Sequence, residues 1–262
     1  MNPLYVEAVG LVAPGLPGWQ HSLATLSGAA PYVAQELAPY QPALLPPNER
    51  RRATQVVRLA FRTSEDALTG TDLPASALAT VFASSDGDTD VMHRINHALA
   101  QPARLLSPTD FHNSVHNAAA GYWSIAVGSR LPSTSLAAHD ASFAAALTEA
   151  AALTLGDELN TLLTVYDMRM PVPLAAKRPI AEPFGVALVL TPGRTLRSIA
   201  ALRLEETQQP ETTLADAGLE RLRRANPAAR ALPLLQLLAR GAAGTAHLPA
   251  GGPTLSVSVT PP

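Results

Sequence analysis

Hydrophobic positions along the chain follow two periods, and their alternation sets out the elements. "LYVEAVGLVAPG" from Leu4 alternates and is rich in valine, which predicts an opening strand. "LPGWQHSLATLSG" predicts a short helix ending at Gly28. Between Pro31 and Pro47 the chain carries Pro39, Pro42 and Pro46 as well, so an irregular surface loop is expected. "PPNERRRATQVVRLAFRTSEDAL" then predicts one long helix with Asn48 as its N-cap and Val56, Leu59, Ala60, Thr63 and Ala67 on one face. "ALATVFASSDGDTD" predicts a buried strand running into an acidic loop, and "VMHRINHALAQ" a helix. "SPTDFHNSVHNAAAGYWSIAVG" opens with a strong helix start at Ser107 and predicts two helical pieces pivoting near Gly121. The strand "STSLAA", the helix "ASFAAALTEAAALTLG" and the strand "LNTLLTVYD" follow. The order βαβααβαβ predicts an α/β domain with a largely buried, layered sheet.

Beyond Asp167 the pattern loosens. "MRMPVPLAAKRPIAEP" is a proline-rich crossing segment, and "FGVALVLTPG" and "LRSIAALRLEE" predict two strands, antiparallel if adjacent. From Gln208 the leucines fall at helical spacing but are interrupted by Pro227 and Pro233; "GPTLSVSVTPP" alternates Leu255, Val257 and Val259 as a last strand. The expected division is residues 1–207 as the main domain and 208–262 as a helical tail whose final strand packs on it.

Composition narrows the functions open to such a domain. Hydrophobic residues make up 47% of the 262 and charged residues 15%, with a net charge of −2. That balance lacks the basic footprint of a nucleic-acid binder and predicts an apolar surface partly covered by a partner. No cysteine is present, which removes disulfides, thiolate metal ligands and cysteine catalysis together. The first residues carry Glu7 and no basic n-region, and no apolar run is long enough to span a bilayer, so a cytoplasmic protein without a membrane span is expected.

Strand, sharp turn and helix in "PSTSLAAHDASFAAALTEAAAL" form the place where an α/β acyl-transfer enzyme mounts a nucleophile, yet the turn holds His139, Asp140 and Ser142. Asp140 suits a cap for a helix starting at Ala141. Ser142 lacks a G-x-S-x-G context and belongs to the first helical turn. Phe111, His112, Val115 and His116 share one helical face at i, i+1, i+4, i+5, and Tyr122 and Trp123 lie next along the chain. His93/His97 and His112/His116 have the i, i+4 spacing of a metal clamp, but neither pair has an accompanying glutamate, so no metal is expected. "SSDGDTD" lacks calcium-loop spacing and suits a solvated loop capping the next helix. Tyr166, Asp167 and Arg169 end a strand where α/β sites gather, with a structural bridge or turn as the simpler role.

From about Leu45 to Glu205 the chain resembles the N-terminal half of β-ketoacyl synthases. The resemblance rests on the helix "RRATQVVRLAF", the strand "ATVFASS", the run "FHNSVHNAAAGYWSIAVGSRLPSTSLAAHDASFAAALTEAAAL", and the strands "LLTVYD" and "FGVALVL". "LPPNERRRAT" and "SPTDFHNSVHNAAAGYWSIA" look like signature segments of the short chain-length-factor-like subgroup associated with aryl polyene clusters. The resemblance implies an α/β thiolase-like fold, mainly its N-terminal half, with a divergent, shortened C-terminal part. Either Asp140 or, with a one-residue slip, His139 then stands at the family's cysteine position. The family's two C-terminal histidines have no counterpart either, since His247 in "GTAHLPAGG" matches neither context.

Without a thiolate, a paired base and donors for an enolate, condensation by this chain alone is not expected, and no cofactor is implied. The resemblance implies instead a heterodimer with a catalytic ketosynthase, and contact with an acyl carrier protein through that complex. Phe111, His112, Val115, His116, Tyr122 and Trp123 would line the acyl tunnel at the interface. The alternatives are a stand-alone acyltransferase or hydrolase using Ser142 or His139 with Asp140, and a solitary scaffold that binds the carrier protein.

Overall fold

The computed structural model describes residues 3–262. Eight strands form one mixed sheet: β1 (Leu4–Val12), β2 (Ala79–Ala83), β3 (Ser133–Leu136), β4 (Thr161–Asp167), β5 (Phe184–Thr191), β6 (Ala200–Thr207), β7 (Gly244–Pro249) and β8 (Thr254–Thr260). Their spatial order is β3-β2-β4-β5-β1-β6-β8-β7. Only β3, β2 and β4 run parallel to one another; every other neighbouring pair is antiparallel. Among the described residues ten α-helices flank the sheet: α1 (Trp19–Ser27), α2 (Pro47–Arg52), α3 (Gln55–Leu68), α4 (Thr89–Leu99), α5 (Pro108–Asn113), α6 (Ala118–Val127), α7 (Ser142–Gly156), the single turn α8 (Val172–Ala175), α9 (Ala217–Ala225) and α10 (Leu232–Arg240). Among the described residues no helix is long and apolar enough to cross a membrane.

The central strands are mainly apolar and carry only a few buried polar side chains, because both of their faces are covered. Every residue of β2, β4 and β5 is buried. On one face Val81, Leu163, Val186 and Leu188 pack with Phe143 and Leu147 of α7 and with Leu234 and Leu238 of α10. On the other, Phe82, Leu162, Tyr166 and Val189 pack with Phe61 of α3 and Trp123 of α6. Helix α3 lies so close to the sheet that a Cβ at Gly10 would stand 2.1 Å from the Thr63 carbonyl oxygen, and one at Gly185 2.2 Å from Thr63 Oγ1. Gly10 is therefore required by the approach of the α3 backbone, and Gly185 by the seating of the Thr63 side chain.

Several sequence expectations are corrected. The long helix expected from Asn48 is two helices. Asn48 lies inside α2, which follows Pro46, and Thr54 caps α3 by accepting from Val57 N. Strands β5 and β6 form as expected, but the condition for their pairing is not met, because β1 inserts between them and pairs antiparallel with both. The two pieces after Ser107 separate at Ser114–Asn117 and not at Gly121, which lies inside α6. In the tail, Pro227 follows α9 and Pro233 sits in the first turn of α10, where a missing N–H costs nothing. The tail also supplies β7, an unexpected strand, and with β8 it extends the same sheet.

Candidate functional site

The parallel strands β3, β2 and β4 end together, the position where α/β sheets place their sites. After Leu136 the chain turns sharply. Ala138 is near φ −144°, His139 adopts φ 53°, and a short 3₁₀ turn over His139–Ala141 leads into α7. A non-glycine residue in the left-handed region stores about 1 kcal/mol or more of strain and occurs where the surrounding fold over-determines it. His139 is thus the apex of a strand-to-helix elbow, and its side chain is exposed.

The hydroxyl of Ser142 is fully buried, accepting from Ala138 N at 3.0 Å and donating to the His139 carbonyl at 2.7 Å. It fastens the elbow to α7. With no base in contact and no path to solvent, it has neither a route to deprotonation nor access to a substrate, which removes the reading of Ser142 as nucleophile. The expectation that Asp140 caps the helix is also corrected, since no side chain caps either the 3₁₀ turn or α7. Asp140 accepts instead from Arg178 Nη1 at 2.7 Å, while Arg178 Nε donates to Asp86 at 3.1 Å. Arg178, from the crossing segment, therefore ties the elbow to the loop after β2. His139 Nδ1 stands 3.7 Å from Asp140 Oδ1, and that carboxylate is already engaged by the guanidinium.

Asp167, at the end of β4, is buried beside this junction. It accepts from Ser84 Oγ at 2.9 Å, Ser85 N at 2.8 Å, Ser85 Oγ at 2.9 Å and Ala228 N at 3.2 Å. Burial pushes its carboxyl up to about 6, opposed by the Ser85 and Ser84 hydrogen bonds and reinforced by the nearby Asp86 charge. Asn226 donates to the Asp167 and Glu182 carbonyls, so the tail is pinned to the same strand end. The sequence marked Asp167 but gave no sign of its partners in the tail. In the "SSDGDTD" loop, Asp88 caps α4 by accepting from Val91 N, as expected.

The set Phe111, His112, Val115 and His116 does not share one helical face, because α5 ends at Asn113. Asn113 is buried and donates to the Arg52 carbonyl, docking α5 on α2. Phe111 and Val115 point to solvent, 67% and 53% exposed. His116 Nε2 is 3.0 Å from the Ser84 carbonyl, so this ring reaches the strand ends. His112 meets Tyr122 edge-on at 5.8 Å between ring centroids. Tyr122 and Trp123 are core residues of this chain; Trp123 packs edge-on against Phe61 at 5.1 Å. Ile125, 60% exposed, stands on the outer side of α6, and α6 contacts β3, whose far edge has no strand beside it. Among the described residues no group of three histidine or carboxylate side chains is placed to hold a metal ion.

Residues 25–246 match the family model for the β-ketoacyl synthase N-terminal domain. Three solved structures share the fold at low identity. A chain of the ketosynthase (ApeO) complex with its chain length factor (ApeC) from Xenorhabdus doucetiae is 23% identical with a TM-score of 0.73, over 98% of this chain and 100% of that one. A chain of the ishigamide ketosynthase/chain length factor is 12% identical with a TM-score of 0.74, over 99% of each. A chain of AntDE:AntF, a type II PKS acyl-carrier protein in complex with its hexaketide-bound ketosynthase, is 10% identical with a TM-score of 0.75, over 100% and 99%. No curated protein matches the chain in sequence.

Proposed function

The chain belongs to the β-ketoacyl synthase N-terminal-domain family, and from that premise we propose that it is a non-catalytic, chain-length-factor-like partner of a catalytic β-ketoacyl carrier-protein synthase. Its fold is thiolase-like. The observation that carries the proposal is the elbow, which keeps its strained apex while placing His139 there in a chain with no cysteine. Decarboxylative condensation needs a thiolate nucleophile and donors for the enolate. Here the neighbouring Asp140 is committed to Arg178, and Ser142 to the backbone. The reaction then belongs to the partner, and the growing chain arrives on an acyl carrier protein through the complex. Aryl polyene assembly is the pathway class that the sequence signatures favour, and residues 208–262 are the divergent replacement for a longer C-terminal half.

Support for a partner comes from the surface beside the elbow. Among the described residues strand β3 is an open sheet edge, Ile125 is an exposed apolar side chain on α6, which contacts β3, and Phe111 and Val115 are further exposed apolar side chains. Co-expression with the catalytic ketosynthase of the same host, followed by size exclusion, is expected to give a stable 1:1 complex. The chain expressed alone is expected to self-associate and to take up no acyl label from an acyl thioester. Labelling of the isolated chain, or carbon–carbon bond formation by it, overturns the proposal.

Within the complex, Phe111 is assigned to a tunnel shared with the partner, being large, apolar and exposed. Phe111→Ala is expected to shift product length by at least one extension unit while changing condensation rate less than threefold, read by mass spectrometry of carrier-bound products. An unchanged length distribution removes Phe111 from the tunnel. His116→Ala tests a different role, because its ring is held at the Ser84 carbonyl.

A further inference from the structure

Beside the elbow, on the side of the tail, lies a cleft of about 590 Å³. Helix α9 forms one wall with Ala217, Arg221 and Arg224, residues that share a face at four- and three-residue spacing. Asp140 and Arg178 also line it, with Ile180 and Pro227 as apolar lining residues. Its two carboxylates are already neutralised: Asp140 takes the Arg178 guanidinium at 2.7 Å, and Glu220 takes Arg223 at 2.7 Å through both of its oxygens. Arg223 and Arg230 further share Glu211. Arg221 and Arg224 alone among the lining cations make no hydrogen bond or ion pair among the described residues. Two guanidinium groups without hydrogen-bond partners thus line a recess with apolar residues, the Arg224 charge also acting on Glu220.

We propose that this cleft binds a phosphate ester with a compact apolar body. Arg221 and Arg224 fork the phosphoryl oxygens, because paired guanidinium groups match a dianion's geometry and charge better than a carboxylate's single charge. The apolar body lies against Ile180 and Pro227. This inference does not depend on the partner reading, since it uses only side chains of this chain.

Butyl phosphate is the probe, with inorganic phosphate and butyrate as comparators, titrated into the full chain and followed by calorimetry and by the NMR signals of the arginine Nε–H groups. Saturable binding is expected for butyl phosphate, at least fivefold tighter than for either comparator and weakening as salt is raised. Arg221→Gln with Arg224→Gln is expected to weaken it at least tenfold without moving the melting temperature, because both side chains are exposed. Arg221→Lys with Arg224→Lys, which keeps the charge and removes the fork, is expected to fall between. Absence of saturable binding, equal affinity for a comparator, or unchanged affinity in the glutamine variant overturns the proposal.

Discussion

Asp167→Ala is expected to lower the unfolding free energy by about 3 kcal/mol, the scale of leaving buried donors such as Ser85 N and the Ser84 hydroxyl without their acceptor. Ala228 N keeps a second acceptor in Asn226 Oδ1, so the loss falls mainly on the loop after β2. Asp167→Asn separates charge from shape. Burial raises the folded-state carboxyl to about 6, above the ordinary value of 3.8, so the folded protein holds its proton more tightly than the unfolded chain does. The stability contributed by that proton is fully present below about pH 4 and is lost as pH rises through about 6. Wild type therefore has its greatest advantage over Asp167→Asn in acid, and the difference narrows between about pH 4 and 6.5. Asp86 is the charged neighbour that strengthens the effect. Urea denaturation of both proteins at four pH values in that window reads the trend. A difference that widens with rising pH would show a carboxylate stabilised as the anion, the reverse of what burial dictates.

The behaviour of Asp167 also marks where reading the sequence stops. Local signals were visible: the left-handed cap at Gly28, the mainly apolar runs of β4 and β5, the alternation in β8, and the strand–turn–helix around His139. Each depends on the period or backbone preference of neighbouring residues. The break between α2 and α3 contains no glycine or proline and is signalled only by Thr54, whose capping role is modest in sequence and decisive in the structure. The insertion of β1 between β5 and β6 is a long-range pairing that no local pattern encodes. The same is true of the site. Asp140 was legible as a polar residue at the turn, but its partner Arg178 lies 38 positions away in a segment with no regular pattern. Strand β7 is a short edge strand with half of its residues facing outward, so its apolar signal is weak.

The largest functional effect is expected at the open edge of the sheet. The Thr80 N–H donates to the Pro132 carbonyl and the Ser84 N–H to the Leu136 carbonyl, so even-numbered residues of this edge turn their backbone groups toward β2. By the alternation of a pleated strand, Ser133 and Ser135 turn theirs outward. Ser135→Pro removes an outward N–H without touching the ladder to β2, a position where an edge strand tolerates proline. The isolated chain should therefore fold as before, while any strand laid against β3 loses a hydrogen bond and meets the pyrrolidine ring. Ile125→Glu tests the adjoining apolar face by forcing a carboxylate into whatever covers α6, a burial that costs several kcal/mol when unpaired. Each change is expected to weaken the complex with the catalytic ketosynthase at least a hundredfold, about 3 kcal/mol, with unchanged far-UV circular dichroism. Because the two substitutions act by different physics, one on backbone pairing and one on desolvation, loss of binding in both places the partner across β3 and α6. Retained affinity in both would put it on another surface and leave the open edge to self-association.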